Sequence, residues 1–168
     1  MRKGLTIFSL LFFIASAGSA QTANEADLHW YTDIMEAQHV SDSLDKPIFA
    51  FFTGSDWCGW CHKLEKDVFE KAEFIEWANS KVVLVELDYP RRKKLPEDVV
   101  RQNGQLQQVF RVSSFPTIWL FYLTKDEEAK KVTVNALGSL GYPGGVLPED
   151  AADRFISTAN MIMAKQGK

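Results

Sequence analysis

Cysteine is scarce in this sequence. Only two of the 168 residues are cysteines, Cys58 and Cys61, and they lie three positions apart. Exported proteins that depend on disulfides for stability usually carry several pairs at wide spacings. A bond between these two cysteines would close a very short loop and remove little conformational entropy from the unfolded chain. Stabilisation therefore does not explain the pair, and a chemical role is the better explanation.

The sequence also lacks an apolar run long enough to span a bilayer. Its main apolar stretch, residues 5–17, is too short for that purpose; it follows Arg2 and Lys3 and is followed by small residues. These features predict a secretory signal peptide over residues 1–20, with an uncleaved anchor as the alternative. The remaining domain, residues 21–168, is therefore expected to be periplasmic or secreted.

A large excess of positive charge is missing as well. Residues 21–168 carry 17 basic and 22 acidic side chains, which gives a net charge of −5, so nucleic acid is not an expected partner. The one basic run, residues 91–94, is typical of a solvated loop, with a docking patch as the alternative, and no function is assigned to it. The length favours a single domain with its own hydrophobic core.

Strand-like and helix-like segments alternate along the chain, which predicts an α/β sheet. The run Ile48 to Phe52 is continuous and apolar, as expected of a strand buried on both faces. The predicted strands cover about residues 28–31, 48–52, 81–88, 117–123 and 131–136, and the last two form a hairpin. The predicted helices cover about residues 33–43, 58–69, 72–79, 97–110 and 148–163. Gly104 is expected to weaken the fourth helix or to split it in two, and a glycine-rich loop is expected over residues 138–145.

Cys58 and Cys61 lie where the buried strand passes through a short turn into a helix. The unsatisfied backbone N–H groups at a helix N-terminus favour a thiolate over a thiol. Cys58 is therefore the predicted nucleophile. Cys61, one helical turn later, is the predicted resolving thiol, which would release a client from its mixed disulfide with Cys58.

Two motifs make the chain resemble the thioredoxin superfamily over nearly all of residues 28–165. They are Trp-Cys-Gly-Trp-Cys at residues 57–61, after a buried strand, and Phe-Pro-Thr at residues 115–117, at the start of a later strand. The resemblance implies a thioredoxin-like fold, with a central mixed sheet flanked by helices and a cis-proline loop. It implies that Pro116 is the cis-proline facing the dithiol and that the backbone of Phe115 pairs with a client peptide. The client-binding residues that it implies are Trp57, Gly59, Trp60, Phe115 and Thr117.

Shorter stretches, residues 52–58, 88–91 and 102–103, look like an exported bacterial branch of this superfamily. That branch is related to the periplasmic thioredoxin-like domain of the membrane thiol reductase. The resemblance implies an extracytoplasmic thiol–disulfide oxidoreductase that exchanges disulfides with protein clients through its Cys-Gly-Trp-Cys dithiol. It implies no cofactor beyond the redox-active Cys58–Cys61 disulfide, and a membrane or soluble thiol as electron donor or acceptor.

Two positions depart from the thioredoxin pattern. Thioredoxins carry a buried aspartate where this chain has Phe51 and Phe52, so another group must accept the proton of Cys61. Glu86, on the neighbouring strand, is the predicted proton acceptor; a glutamate that faces solvent at the strand edge is the alternative. Trp60 stands where thioredoxins have proline, at a position that tunes the redox potential, so the direction of electron flow is left open.

Three other functions fit parts of the sequence. Residues 58–62 match Cys-x-x-Cys-His, the attachment signature of c-type haem, although cytochromes c are typically all-helical and strands are predicted on both sides of this motif. A redox-inactive peptide-binding or chaperone module would use the same groove, but such a relative would usually have lost one cysteine. A zinc site would have too few ligands in Cys58, Cys61 and His62, so no metal is expected.

Overall fold

The computed structural model describes residues 27–126, 128 and 131–165. They form a five-stranded mixed sheet with helices on both faces. The predicted signal peptide, residues 1–20, lies outside the described residues. None of the described helices has the length and apolar character that crossing a membrane requires.

The sheet has the strand order β1-β3-β2-β4-β5. Strands β1, β3 and β2 run parallel to one another, and β4 and β5 complete the sheet as an antiparallel hairpin. The strands are β1 (Trp30–Tyr31), β2 (Ile48–Thr53), β3 (Val83–Asp88), β4 (Thr117–Asp126) and β5 (Lys131–Leu140). The helices are α1 (Ile34–Leu44), α2 (Gly59–Leu64), α3 (Ala72–Lys81), α4 (Glu97–Val109) and α5 (Ala151–Ala164). A π-helical turn, Glu65–Phe69, continues α2, and a 3-10 turn, Pro148–Asp150, leads into α5.

β2 is the central strand, and all of its residues are buried. Phe49 and Phe51 pack on the face covered by α2, α3 and α5, whereas Ala50 and Phe52 pack on the face covered by α1 and α4. Five rings surround Phe49, with centroids 5.9 to 6.2 Å from its own: Trp30, Phe69, Phe74, Trp77 and Phe155. The continuous apolar run therefore serves two cores, as the sequence predicts.

α1 begins where the sequence predicts, at Asp33. The Oδ1 atom of Asp33 accepts hydrogen bonds from the backbone N–H groups of Met35 at 2.7 Å and Glu36 at 3.2 Å. These bonds satisfy two of the donors that the first turn of a helix leaves unpaired. The helix ends at Leu44, and Asp45 then adopts a left-handed conformation with φ of 51°.

Gly104 does not interrupt α4, which is continuous from Glu97 to Val109. A glycine inside a helix costs about 1 kcal/mol, and the neighbouring residues offset this cost. Asn103 is buried, its Nδ2 donates to the backbone oxygen of Asp88 at 3.0 Å, and its own backbone oxygen accepts from the Tyr89 hydroxyl at 2.6 Å. These long-range bonds stabilise the helix at the position where its local preference is weakest.

The prediction that a loop begins at Gly138 is wrong, because β5 continues to Leu140. A β-bulge makes this possible: Phe121 pairs with Ala136 and Leu120 pairs with Gly138, so Leu137 is an extra residue on β5. Gly138 also lets α5 approach the sheet, since a Cβ atom there would lie 2.9 Å from Cγ2 of Ile162. The glycine therefore marks a bulge and a close contact, not the end of the strand.

Candidate active site

Cys58 and Cys61 form a disulfide at the start of α2, with an S–S distance of 2.05 Å and Cα atoms 5.3 Å apart. Cys58 is the N-cap residue, and its Sγ accepts a hydrogen bond from the backbone N–H of Cys61 at 3.2 Å. Cys58 is 4% exposed and Cys61 is fully buried. The helix terminus thus supports negative charge on Cys58, the outer sulfur, which favours the predicted order of attack.

The turn before Cys58 is held by the carbonyl group of Gly54, which accepts from the backbone N–H groups of Trp57 at 3.0 Å and Cys58 at 2.8 Å. A side chain at position 54 has no room, because its Cβ atom would lie 2.4 Å from Cε2 of Trp57. The indole of Trp57 covers this glycine and donates from Nε1 to the backbone oxygen of Tyr89 at 2.8 Å. Glycine is therefore required for the Trp57 indole to pack against the turn that leads into α2.

The Phe-Pro-Thr motif lies at the start of β4, next to the same cluster. The Phe115–Pro116 peptide bond is cis, and Thr117 pairs with Phe52 of β2 and donates from its hydroxyl to the backbone oxygen of Ser114 at 2.7 Å. The ring of Phe115 packs against the core that contains both cysteines, and its centroid lies 5.9 Å from that of Trp57. Trp57 and Phe115 therefore lie side by side, as the predicted client groove requires.

Trp60, inside the dithiol loop, is the most exposed of the predicted client-binding rings, with 60% of its surface accessible. Its ring lies 5.4 Å from that of Tyr142, whose hydroxyl donates to Oδ2 of Asp67 at 2.7 Å. The same oxygen accepts from Lys63 Nζ at 2.6 Å, and this bond holds the pKa of Asp67 below its ordinary value. Gly59, the residue before Trp60, borders open space, since a Cβ atom there would meet nothing within 4 Å.

Glu86, the predicted proton acceptor, lies on β3 directly beside Phe51 and is partly buried. It lines an open cavity of about 460 Å³ together with Phe51, Phe69 and a second carboxyl group, Glu65. Burial raises the pKa of Glu86 and also that of Glu65. Glu86 is therefore not fully solvated, and it is less buried than the aspartate of thioredoxins. It shares a cavity with Glu65, and two residues of the cavity wall, Phe51 and Phe69, belong to the core that contains both cysteines.

Sequence reasoning missed Glu65, although its spacing could have revealed it. Glu65 follows Cys61 by four residues, and its backbone N–H donates to the backbone oxygen of Cys61. Residues four apart lie on the same side of a helix. Sequence reasoning also missed the contacts of Tyr142 with Trp60 and Asp67. The four-residue spacing of Lys63 and Asp67 indicates their ion pair, but nothing local indicates Tyr142, which lies in the loop after β5.

His62, the residue that completes the haem-attachment signature, contacts the turn before the dithiol. Its Nε2 lies 2.9 Å from the backbone oxygen of Ser55. Ser55 in turn donates its backbone N–H and its hydroxyl to the carboxylate of Asp88, at 2.8 and 2.7 Å. Within residues 27–126, 128 and 131–165, no group of three or more His, Cys, Asp or Glu side chains is placed to hold a metal ion.

The basic run at residues 91–94 is anchored to this turn. The carboxylate of Asp56 accepts from the backbone N–H groups of Arg91 at 2.9 Å, Arg92 at 2.7 Å and Lys93 at 3.2 Å. Lys93 also forms an ion pair with Asp88 at 2.7 Å. The loop is solvent-exposed, as its sequence predicts. Its backbone conformation is fixed by Asp56, which immediately precedes Trp57.

Comparison with known proteins agrees with this architecture. Residues 35–133 match the family described as Thioredoxin-like domain. The Disulfide bond reductase DsbH of Chlamydia pneumoniae is 35% identical over 121 residues, which cover 71% of this chain and 67% of that protein. The Thioredoxin-related protein DsbJ of the same organism is 29% identical over 140 residues, which cover 82% of this chain but only 39% of DsbJ. The solved structure of the DsbH oxidoreductase superposes with a TM-score of 0.68 at 29% identity, over 83% of this chain and 86% of that one.

A Cys-x-x-Cys disulfide at a helix start, on a mixed sheet of this order, is the site of a thiol–disulfide oxidoreductase. The chain belongs to the thioredoxin-like family. The predicted superfamily, the α/β fold and the enzyme class are therefore confirmed. The roles of the individual residues stay predictions.

Replacing Asp56 with alanine should release the loop that it anchors. We expect the amides of residues 91–93 to exchange with solvent about tenfold faster or more, because each loses a hydrogen bond to a charged acceptor. The amide of Arg91 holds the pKa of Asp56 below its ordinary value of 3.8. The anchor is therefore complete above that value in the wild type and is lost as the pH falls through the lowered pKa.

Hydrogen exchange followed by NMR, expressed as protection factors, measures this effect. Asp153→Ala, which removes an exposed carboxylate from the first turn of α5, is the matched control and should leave these three amides unchanged. Equal protection in the Asp56→Ala variant and the wild type would show that Asp56 does not hold the loop.

Proposed function

We propose that this protein reduces disulfides of protein clients outside the cytoplasm, with Cys58 as the nucleophile. The observation that carries the proposal is the asymmetry of the disulfide. Cys58, at the helix start, keeps 4% of its residue surface accessible, whereas Cys61 keeps none. A client can therefore reach only one of the two sulfurs directly, and the second sulfur acts within the protein.

In the reducing direction, the Cys58 thiolate attacks one sulfur of a client disulfide. The client S–S bond breaks, one client sulfur leaves as a thiolate, and a mixed disulfide joins the other to Cys58. Cys61 then loses its proton and attacks Cys58, which releases the second client thiolate and forms the Cys58–Cys61 disulfide. Two electrons pass to the client, and a membrane or soluble thiol donor returns them to the protein.

The client would lie in the groove beside the cis-proline. Trp57, Trp60 and Phe115 supply apolar surface, Gly59 leaves space above the dithiol, and the backbone next to Pro116 and Thr117 pairs with an extended client segment. The arrangement of these rings around a nearly closed dithiol supports this mode of binding. Backbone pairing gives affinity for many sequences, which suits an enzyme with several clients.

Different observations support the cellular location and the direction of electron flow. The predicted signal peptide over residues 1–20 supports export, and therefore a periplasmic or secreted protein. The direction is supported by the relationship to DsbH, a protein named for disulfide bond reduction that is 35% identical to this chain. Trp60 replaces the proline of thioredoxins, so a measured potential is needed to establish how strongly reducing the dithiol is.

The proposed chemistry needs no cofactor beyond the disulfide itself. Haem attachment would use both sulfurs and would require His62 as a ligand of the iron. The motif lies between strands β2 and β4 of a mixed sheet, whereas cytochromes c are typically all-helical. This fold favours the dithiol interpretation.

Two cysteine variants test the order of attack. Cys58→Ala should abolish insulin reduction, because the accessible nucleophile is gone. Cys61→Ala should accumulate mixed disulfides with clients, since no second thiol can release them, and these are detected by non-reducing electrophoresis and mass spectrometry. Ser114→Ala is the control that leaves both thiols in place. Mixed disulfides that form through Cys61 in the Cys58→Ala variant would contradict the assignment.

The reduction potential of the Cys58–Cys61 pair tests the direction of electron flow. We expect a value near −270 mV, typical of a reductant, in contrast to about −120 mV for a strong oxidant. Equilibration with glutathione or dithiothreitol redox buffers, followed by intrinsic tryptophan fluorescence, measures it, because Trp57 and Trp60 lie next to the two cysteines in the chain. A potential close to the oxidant value would overturn the proposal that the protein is a reductase.

We further propose that Glu86, together with Glu65, accepts the proton of Cys61 by way of a bridging water. Glu65 lies one helical turn from Cys61, and Glu86 lies beside Phe51, which packs in the same core as both cysteines. Their raised pKa values bring both carboxyl groups closer to the pH at which the enzyme works, which favours proton transfer.

Glu86→Gln should slow the release of the client from the mixed disulfide by about a hundredfold near neutral pH, because a general base is lost. The difference should vanish at alkaline pH, where Cys61 ionises without assistance. Single-turnover kinetics across the pH range measure this step. Glu76→Gln, an equal charge change on the exposed side of α3, is the control. An identical pH profile, or a loss of equal size at every pH, would exclude Glu86 as the proton acceptor.

A further inference from the structure

We propose that Arg91 is a specificity residue that binds an aspartate or glutamate of the client beside the reactive cysteine. This inference rests on the proposed function, because it names the class of client for the same site. The guanidinium of Arg91 lies over the indole of Trp57, with its Cζ atom 3.9 Å from the ring centroid. Trp57 immediately precedes Cys58 in the chain, so a positive charge lies at the rim of the groove next to the nucleophile.

The rings around Arg91 define the shape of this rim. Trp57 lies beside Phe115, and Phe115 stacks on Tyr89 with centroids 5.0 Å apart. One end of this row of aromatic rings carries the guanidinium, and Phe115 lies next to the cis-proline. A client segment that extends along the rings therefore meets an apolar surface followed by a cation. An apolar segment with an acidic residue fits this surface best.

Arg91 is available to bind such a residue. A guanidinium held over an aromatic ring by a cation–π contact keeps its N–H donors for other partners. The two carboxylates nearest in this network have other partners: Asp56 accepts three backbone N–H groups, and Asp88 binds Ser55 and Lys93. In the part of the chain that the structure describes, no ion pair involves Arg91.

The position of Arg91 is also fixed before a client arrives. Its backbone is held by Asp56 and its side chain by Trp57, so binding orders few additional groups and costs less entropy. The neighbouring side chains of residues 92–94 add positive charge, whereas residues 21–168 as a whole have a net charge of −5. A local basic patch on an acidic protein attracts acidic segments and repels basic ones during encounter.

Three peptides of identical length test the inference. Each carries one cysteine activated as a neutral 2-pyridyl disulfide, and the residue next to the cysteine is Glu, Gln or Lys. Reaction with the reduced, full-length protein releases 2-thiopyridone, whose absorbance gives the rate constant. With the wild type, we expect the Glu peptide to react about two- to fivefold faster than the Gln peptide and the Lys peptide to react slowest. Higher salt concentration should reduce the difference.

Variants identify the residue responsible. Arg91→Ala should make the three rates equal, and Arg91→Glu should reverse their order. Arg101→Ala, which removes one exposed arginine from α4, should keep the wild-type preference. If the Arg91→Ala variant keeps that preference, or slows all three peptides by the same factor, Arg91 does not select clients.

The wild-type rates separate this inference from the proposed function. If the wild type reacts quickly with all three peptides at equal rates, the selectivity is wrong and the exchange activity stands. If the wild type reacts with each peptide no faster than Cys58→Ala does, Cys58 is not the nucleophile, and both proposals are overturned.

Discussion

The burial of β2 on both of its faces fixes the position of the dithiol. Phe49 and Phe51 pack under α2, α3 and α5, whereas Ala50 and Phe52 pack under α1 and α4, so the strand cannot slide or turn over without exposing one of two cores. Its last residue therefore delivers the chain to one defined point at the carboxyl end of the central strand. There Gly54, with no space for a side chain, turns it into α2. The geometry of the redox site follows from the packing of the strand before it.

Two aspartates then join the dithiol loop to the rest of the sheet. Asp88, at the end of β3, holds Ser55, and Asp56 holds the backbone of residues 91–93. Because both carboxylates are used in this way, the loop before Cys58 and the loop after β3 form one rigid unit. The outer sulfur, Trp57 and Arg91 consequently keep fixed positions relative to one another.

Local patterns made much of this structure predictable. The apolar run of β2, the N-cap Asp33 and the Cys-x-x-Cys pair each depend on neighbouring residues, and each lies where the sequence indicates. The sequence could not indicate features that depend on distant contacts. The bulge that extends β5 arises from pairing with β4, and Tyr142 reaches Asp67 across 75 positions. Glu65 and Glu86 likewise line one cavity only when the sheet and the helix after β2 are assembled.

The π-helical turn after α2 separates two requirements that one regular helix could not meet together. Up to Leu64, the helix is oriented so that Cys61 and Leu64 point inward beneath the disulfide. Within the π-helical turn, Val68 and Phe69 enter the aromatic core and Asp67 reaches Tyr142. The wider turn inserts one residue and rotates the second half relative to the first. The same segment therefore places the buried sulfur near its start and fills the aromatic core at its end, and the ion pair between Lys63 and Asp67 links the two parts.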